Sequence, residues 1–431
     1  MFAIAATYFF CPTKCPIDPR PLNIKRLYLP FTPWLLSFQS SIQITSPMYP
    51  ETKKRSEIKT LEIPKRLDIV IGACRFILLF IIVTQFSINW VSGDLIVRKI
   101  FGPEVPTGKY KHPCSFDELD NGDLYLAYYG GAGEYASGTV VYGARLNQES
   151  SHWSQPRKIA GNPFRSLGNP VVWQGPDGLV WLFYVTRFGD TWSTSRIKVK
   201  ISRDGAVSWS DSALLTIEPG TMVRAHPIVL QTGEYLLPIY HETGHDTELV
   251  GPDTTSFFLR YNPSNKKWSS SKRIRSDHGN LQPAVVQVDD KHLIAYCRRG
   301  GGYEPTTEGY LIRSESRDGG HTWGKGGNSS FPNPNSAVDF IKLRSGRLLL
   351  LYNDSMNDRT PLTAALSSDN GKTFPHRMNI ASGRDSFAYP TVVQTRDGRI
   401  HVTFTSQERT QINHAIFNEN DLLLKSDNKK L

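Results

Sequence analysis

Arg187, Arg298, Arg299 and Arg359 are the residues of this sequence best suited to gripping an anion. The planar guanidinium fork binds a carboxylate through two parallel hydrogen bonds. Four carboxyl groups, Glu134, Glu242, Asp339 and Asp354, could do general acid–base work, and His112 and His226 could share it. Asn169, Gln282 and Asn353 offer neutral donors and acceptors beside them. Tyr389 carries a phenol that serves as nucleophile or base only if its neighbours lower the cost of ionisation. Together these residue types suit an acidic, polar substrate. No Gly-rich phosphate loop or nucleophile-elbow Ser competes with them, and His241-Glu242 lacks the second His of a zinc-protease helix. The five cysteines, at 11, 15, 74, 114 and 297, form no CxxC pair and no zinc-spaced cluster. Neither a metal nor a cofactor is expected.

The elements that must position these groups repeat about every 55 residues. Trp153, Trp209, Trp268, Trp323 and Phe374 are 56, 59, 55 and 51 residues apart. The pairs His112-Pro113, Asn169-Pro170, His226-Pro227, Gln282-Pro283 and Tyr389-Pro390 open successive units, and counting by the same interval places the missing opening at Asp339. Each unit joins short apolar runs through turns such as Pro176-Asp177-Gly178, the pattern of β-hairpins. Four antiparallel strands per unit, six times over, predict an all-β fold, a six-bladed β-propeller across 94–420. The sixth unit lacks a fourth strand, and Leu95–Ile100 is expected to supply it.

In such a blade the start of the first strand and the end of the second share a face. The starts place His112, Asn169, His226, Gln282, Asp339 and Tyr389 around the axis, one polar residue per blade. The second-strand ends add Glu134, Arg187, His241, Glu242, Arg298, Arg299, Asn353, Asp354, Gln407 and Arg409, and Arg359 follows in a loop on that side.

Three of the aromatic positions close a longer motif. Ser316-Arg317-Asp318-Gly319-Gly320-His321-Thr322-Trp323 is a full Ser-x-Asp-x-Gly-x-Thr-Trp, and Ser367 to Phe374 differs only in its aromatic. Ser202 to Trp209 has Ala206 in place of the second Gly. Asp204, Asp318 and Asp369 are expected to accept backbone N–H bonds and Trp323 to pack between sheets, all structural roles. The motif resembles the Asp-box, or bacterial neuraminidase repeat, and residues 100–419 resemble the sialidase superfamily. His112-Pro113, Gly130-Gly131-Ala132-Gly133-Glu134, Asn333-Pro334-Asn335-Ser336, Tyr352-Asn353-Asp354 and Tyr389-Pro390 carry a narrower likeness to its BNR-like propellers. The resemblance implies a glycosidase with Tyr389 as nucleophile, the known exception among retaining enzymes. It implies Glu134 as the acid/base carboxylate and Arg359 as one of three carboxylate-binding arginines. The partner that activates Tyr389 stays open among Glu242, Asp339 and Asp354. Where sialidases open the first blade with Arg-Ile-Pro, this chain has Lys111-His112-Pro113. Histidine has no bidentate fork, so another acidic sugar, such as a uronic acid, becomes credible as substrate beside sialic acid.

The expected activity is therefore hydrolysis of an acidic sugar from an oligosaccharide or glycoconjugate. The alternatives are a uronate lyase and a non-catalytic glycan-binding propeller. Residues 1–98 hold 12 Lys and Arg against 6 Asp and Glu, while the other 333 hold 38 against 34. More than half the excess of +10 thus lies outside the propeller, and nucleic acid is not an expected partner. Residues 1–66 read as a basic extension, 67–93 as a signal-anchor or signal peptide, and 421–431 as a polar tail. The apolar run 69–91 follows a basic flank, which predicts a propeller anchored at a membrane and facing outside, or secreted. Met48, just before that flank, is the suspected initiator.

Overall fold

A computed structural model describes residues 95–427 except 151 and 246–248. The expectations for the basic extension, the apolar run and Met48 fall outside the described residues. Among those described, no helix is long and apolar enough to cross a membrane.

Strand β1 (Ile96–Phe101) precedes the first complete blade. Blade one is β2 (Tyr110–Glu118), β3 (Leu124–Gly131), β4 (Val140–Leu146) and β5 (Arg157–Ala160). Blade two is β6 (Leu167–Gln174), β7 (Val180–Arg187), β8 (Ser195–Ser202) and β9 (Ala213–Leu214). In blade three the inner strand is split into β10 (Thr221–Val223) and β11 (Ile228–Val229), followed by β12 (Tyr235–His241), β13 (Thr255–Asn262) and β14 (Lys267–Ser270). Blade four is β15 (Asn280–Gln287), β16 (Leu293–Arg299), β17 (Tyr310–Ser316) and β18 (Gly327–Pro332). Blade five is β19 (Asp339–Lys342), β20 (Leu348–Asn353), β21 (Leu362–Ser367) and β22 (His376–Ala381). Blade six is β23 (Ala388–Gln394), β24 (Ile400–Ser406) and β25 (Gln411–Phe417), with β1 antiparallel to β25 as its fourth strand. The six-bladed ring and its closure agree with the expectation from sequence. The polar tail opens as a helix, α1 (Glu419–Asp427), whose Leu422 is buried in the core of blades five and six.

Second strands such as β7 and β20 are buried along their whole length, because adjoining blades cover both faces. Their sequences are accordingly near-continuous apolar runs rather than alternating ones. Each of the regularly spaced aromatics ties its blade to the preceding one. Trp323 stacks 4.5 Å from Phe258, and Phe374 lies 5.1 Å from Phe331. Trp153 closes the circle 6.0 Å from His414.

The Asp-boxes are structural. Asp318 accepts the Thr322 N–H at 2.9 Å and its hydroxyl at 2.5 Å, and Asp369 does the same with Thr373 at 2.9 and 2.6 Å. Partial burial opposes ionisation, but these bonds outweigh it and hold both carboxyls down to about 2. Asp204 keeps the pattern with Ser208 although Ala206 must adopt φ 65° where the other boxes use Gly320 and Gly371.

In four blades the ladder between first and second strands slips at the X-Pro pair. The breaks fall between Lys111 and Cys114, Gly168 and Val171, Leu281 and Ala284, and Ala388 and Thr391. Proline has no N–H for the ladder and is confined to such bulges. Asn169, Gln282 and Tyr389, each just before the proline, have φ of 43, 51 and 56°. Left-handed backbone is rare for these residues, most of all for a tyrosine. The bulge turns their side chains off the strand and into the mouth of the ring. Blade five has no proline here, and its left-handed residue is Asn335, φ 56°, four residues before the expected Asp339.

Candidate active site

At one mouth of the propeller Glu134, Tyr135, Asn169, Trp192, Tyr240, Glu242, Gln282, Arg298, Tyr303, Tyr389 and Arg409 line a common concavity. Tyr389 is at its centre. Its hydroxyl accepts a hydrogen bond from Arg298 Nη1 at 2.8 Å and one from Gln282 Nε2 at 3.4 Å. The Arg359 guanidinium lies 5.6 Å from its ring centre and Arg224 5.3 Å. His112 meets the ring edge-on at 4.2 Å. Burial alone would raise the Tyr389 hydroxyl, but the charges of Arg298, Arg359 and Arg409 bring it below its ordinary value.

The two mouth carboxyls differ in surroundings. Glu134 accepts from the Tyr110 hydroxyl at 2.8 Å and from Arg409 Nη1 at 2.5 Å. Glu242 is partly buried, and its carboxylate has no such ion pair among the described residues. Burial pushes it up to about 7; Arg298 opposes the rise and the charge of Glu134 adds to it. A carboxyl raised in this way carries a proton near neutrality and can donate it.

Other expected residues brace the site. Asn169 donates to the Tyr240 hydroxyl at 3.0 Å. Arg187 donates to Tyr135 O at 2.7 Å, and its guanidinium lies 4.4 Å from the Tyr135 ring centre, bracing one wall. His112 bonds Thr405 Oγ1 through Nδ1 at 2.7 Å; burial, then Arg409 and Arg359, push it well below its ordinary value, so it is neutral.

Several expectations are corrected. Asp339 accepts the N–H groups of Phe340 and Val392 at 3.0 and 2.8 Å, which commits its carboxylate to joining blades five and six. It and His226 line a second opening with Asp117 and Gln394, apart from Tyr389. His226 bonds Ser115 Oγ at 3.0 Å, and burial followed by the Arg224 charge depresses it to about 3. Arg299 points away from Arg298 and donates to Asn333 O at 2.8 Å. Asn353 donates to Phe387 O at 2.9 Å, and Asp354 faces Arg377 at 3.5 Å. These five side chains are engaged away from the Tyr389 hydroxyl. With Asp339 and Asp354 placed elsewhere, no carboxylate among the described residues bonds the Tyr389 hydroxyl, and the guanidinium charges are what lower it.

Arg409 was placed on the mouth face by the sequence but given no role there. It belongs to the β24–β25 turn, where Gln407, Glu408 and Arg409 all have left-handed backbone, φ 52, 52 and 66°. That turn places its carbonyl on the Lys111 N–H at 2.9 Å, beside His112. Blade six thus supplies a guanidinium next to the position where blade one has a histidine. Asn335 and Arg224 were unselected. Asn335 takes the Arg298 Nε–H on Oδ1 at 2.6 Å and an Arg359 Nη2–H on its carbonyl at 3.1 Å, aiming both arginines. Arg224 crosses the axis to donate to the carbonyls of Tyr389 and Pro390 at 2.7 and 3.0 Å, fixing the strained peptide.

The profile of the BNR repeat-like domain matches residues 122–402. No curated protein matches the sequence. Among solved structures, a Hadza microbial sialidase superposes with a TM-score of 0.64 at 14% identity, covering 76% of this chain and 69% of its own. The NanB sialidase of Streptococcus pneumoniae gives 0.62 at 12% identity, covering 75% and 71%. The intramolecular trans-sialidase of Ruminococcus gnavus, solved with oseltamivir carboxylate, gives 0.60 at 13% identity, covering 75% and 97%. At these identities the likeness is one of fold.

Proposed function

The chain belongs to the BNR repeat-like family of sialidase-fold propellers, and we propose that it is a glycoside hydrolase acting on an acidic sugar, a sialic or uronic acid. The observation that carries this reading is the convergence of Arg298, Arg359 and Arg409 on the Tyr389 side chain. Arg359 and Arg409 hold the sugar carboxylate, and Arg298 stabilises the phenolate. Tyr389 oxygen attacks the anomeric carbon as the glycosidic bond breaks, and Glu242 gives its proton to the departing oxygen. Glu242, now ionised, takes a proton from the water that displaces Tyr389 and releases the sugar. Glu134, bonded to Arg409 and Tyr110, sets the position of Arg409.

The test is incubation of the purified protein with sialylated and uronate-containing glycans, with products read by mass and ultraviolet absorbance. Free acidic sugar with one added water supports hydrolysis, and no product from either set sinks it. A second reading rests on the bonding of Tyr389 to Arg298 and Gln282 rather than to a carboxylate. An ionised Tyr389 could then take the C5 proton of a uronate while Glu242 protonates the leaving oxygen. An unsaturated, ultraviolet-absorbing product without added water would select this lyase.

Under either reading Arg409→Ala removes a carboxylate donor and leaves Glu134 without its cation. The expected result is binding of an acidic sugar at least tenfold weaker, with little change for a neutral analogue. Calorimetric titration checks this, and equal losses for both ligands would count against it.

We also propose that the propeller is exported, membrane-anchored or secreted. The support is the basic flank followed by the apolar run 69–91. A reporter fused after residue 431 should be active outside the cytoplasm; activity confined to the cytoplasm would overturn the proposal.

A further inference from the structure

Arg298 has five N–H groups, and protein acceptors take four of them. Nε donates to Asn335 Oδ1 at 2.6 Å, and Nη1 to the Tyr389 hydroxyl at 2.8 Å and to Gln282 Oε1 at 3.2 Å. Nη2 donates to the Tyr303 hydroxyl at 2.8 Å. A guanidinium so engaged has no parallel pair of N–H groups left for a carboxylate. Arg359 is less committed, with one described hydrogen bond from its side chain, to Asn335 O.

Tyr303 stands between these arginines and the mouth. It is 44% exposed where Tyr389 is 8%, and its ring centre is 5.7 Å from the Arg359 guanidinium. It follows Gly300-Gly301-Gly302, in the connection from β16 to β17. Asn335 Nδ2 donates to the carbonyls of Gly301 and Gly302 at 2.9 and 3.1 Å. The residue that aims Arg298 therefore also fixes the loop that carries Tyr303. Among the described residues the Tyr303 hydroxyl has no acceptor for its own hydrogen.

We propose that Tyr303 is a ligand of the substrate carboxylate, donating its O–H outward while accepting from Arg298. This rests on the reading of the mouth as an acidic-sugar site. Arg298 then acts through two tyrosines. It stabilises Tyr389 with one arm and sharpens Tyr303 as a donor with the other, since a hydroxyl that accepts from a cation donates more strongly. The carboxylate lies between Tyr303 and Arg359. Selectivity for an acid over its ester or amide then depends on a phenol that nothing in the repeat pattern requires.

The experiment titrates the full-length protein and its Tyr303→Phe variant with N-acetylneuraminic acid, glucuronic acid and the corresponding amides. The substitution keeps the ring and removes one donor at an exposed position, and thermal unfolding of the two proteins should coincide. Binding of the preferred acid should weaken about tenfold or more, with amide binding unchanged. On any substrate that is turned over, KM should rise by a similar factor with kcat retained. Equal or tighter binding of the acid by Tyr303→Phe overturns the proposal, because Arg298 would then hold the carboxylate itself. A wild-type protein that binds neither acid overturns the acidic-sugar reading, and this proposal falls with it.

Discussion

Tyr389→Phe is expected to lower turnover by at least ~10²–10⁴-fold while leaving acidic-sugar binding within a few-fold of wild type. The substitution removes one oxygen from the centre of the site and keeps the ring that His112 and Arg224 pack against. The lost oxygen is the group that attacks carbon in the hydrolase reading and takes a proton in the lyase reading. Arg298 loses one acceptor but keeps Asn335 and Gln282, so its position holds. Single-turnover kinetics beside calorimetric binding would separate the two effects. Full activity in Tyr389→Phe would remove the tyrosine from the mechanism, and equal losses of binding and turnover would make it a binding residue only.

The second large effect is expected at Glu242. Burial raises this carboxyl to about 7, so its proton is present below that pH and lost as pH climbs through it. If Glu242 protonates the leaving oxygen, wild-type activity falls on the alkaline side of about 7. Glu242→Gln should lose ~10²–10⁴-fold in rate on substrates with a poor leaving group and no longer show that limb. Substrates whose leaving group needs no proton should suffer far less. The sign for stability follows from the same shift. A carboxyl raised above its unfolded value contributes stability at pH below the unfolded value, and that contribution is lost as pH rises through about 7. Glu242→Gln should therefore gain stability relative to wild type between pH 5 and 8, read by thermal unfolding across that range. An unchanged alkaline limb in the variant would assign the acid to another group.

The architecture was legible because packing imposes it at a fixed period. An aromatic such as Trp323 must reach the preceding blade, and Pro283 or Pro390 must sit where the ladder slips. The same logic failed in blade five, where the left-handed Asn335 is followed by Ser336 rather than proline and interval counting reached Asp339 instead. Side-chain alternation along β16 dictates that only one of Arg298 and Arg299 faces the mouth, but composition does not say which. Arg409 could not be weighted because its aim depends on three successive left-handed residues in a turn with no glycine. The sequence could not show how the surroundings of Glu134 and Glu242 differ. Their difference comes from Tyr110 and Arg409, 24 and 275 residues from Glu134.

Because β1 is the first strand of the ring to be synthesised and β25 the last, the ring cannot close during translation until the chain is almost complete. The register that joins them, Ile96 to Ile416 and Arg98 to His414, spans more than three hundred residues. Contacts of such separation form slowly, because the entropy of closing the loop is lost before the pairing returns any energy. In the interval blade six has an open edge and β1 an unpaired one, the geometry that recruits strands from other chains. Once closed, the ring holds its two ends together without a covalent link. A cut between β1 and β2 would leave every other blade contact in place and still allow β1 to leave. Expression yield and resistance to proteolysis should therefore respond more sharply to changes in residues 96–101 than their exposed outer face suggests.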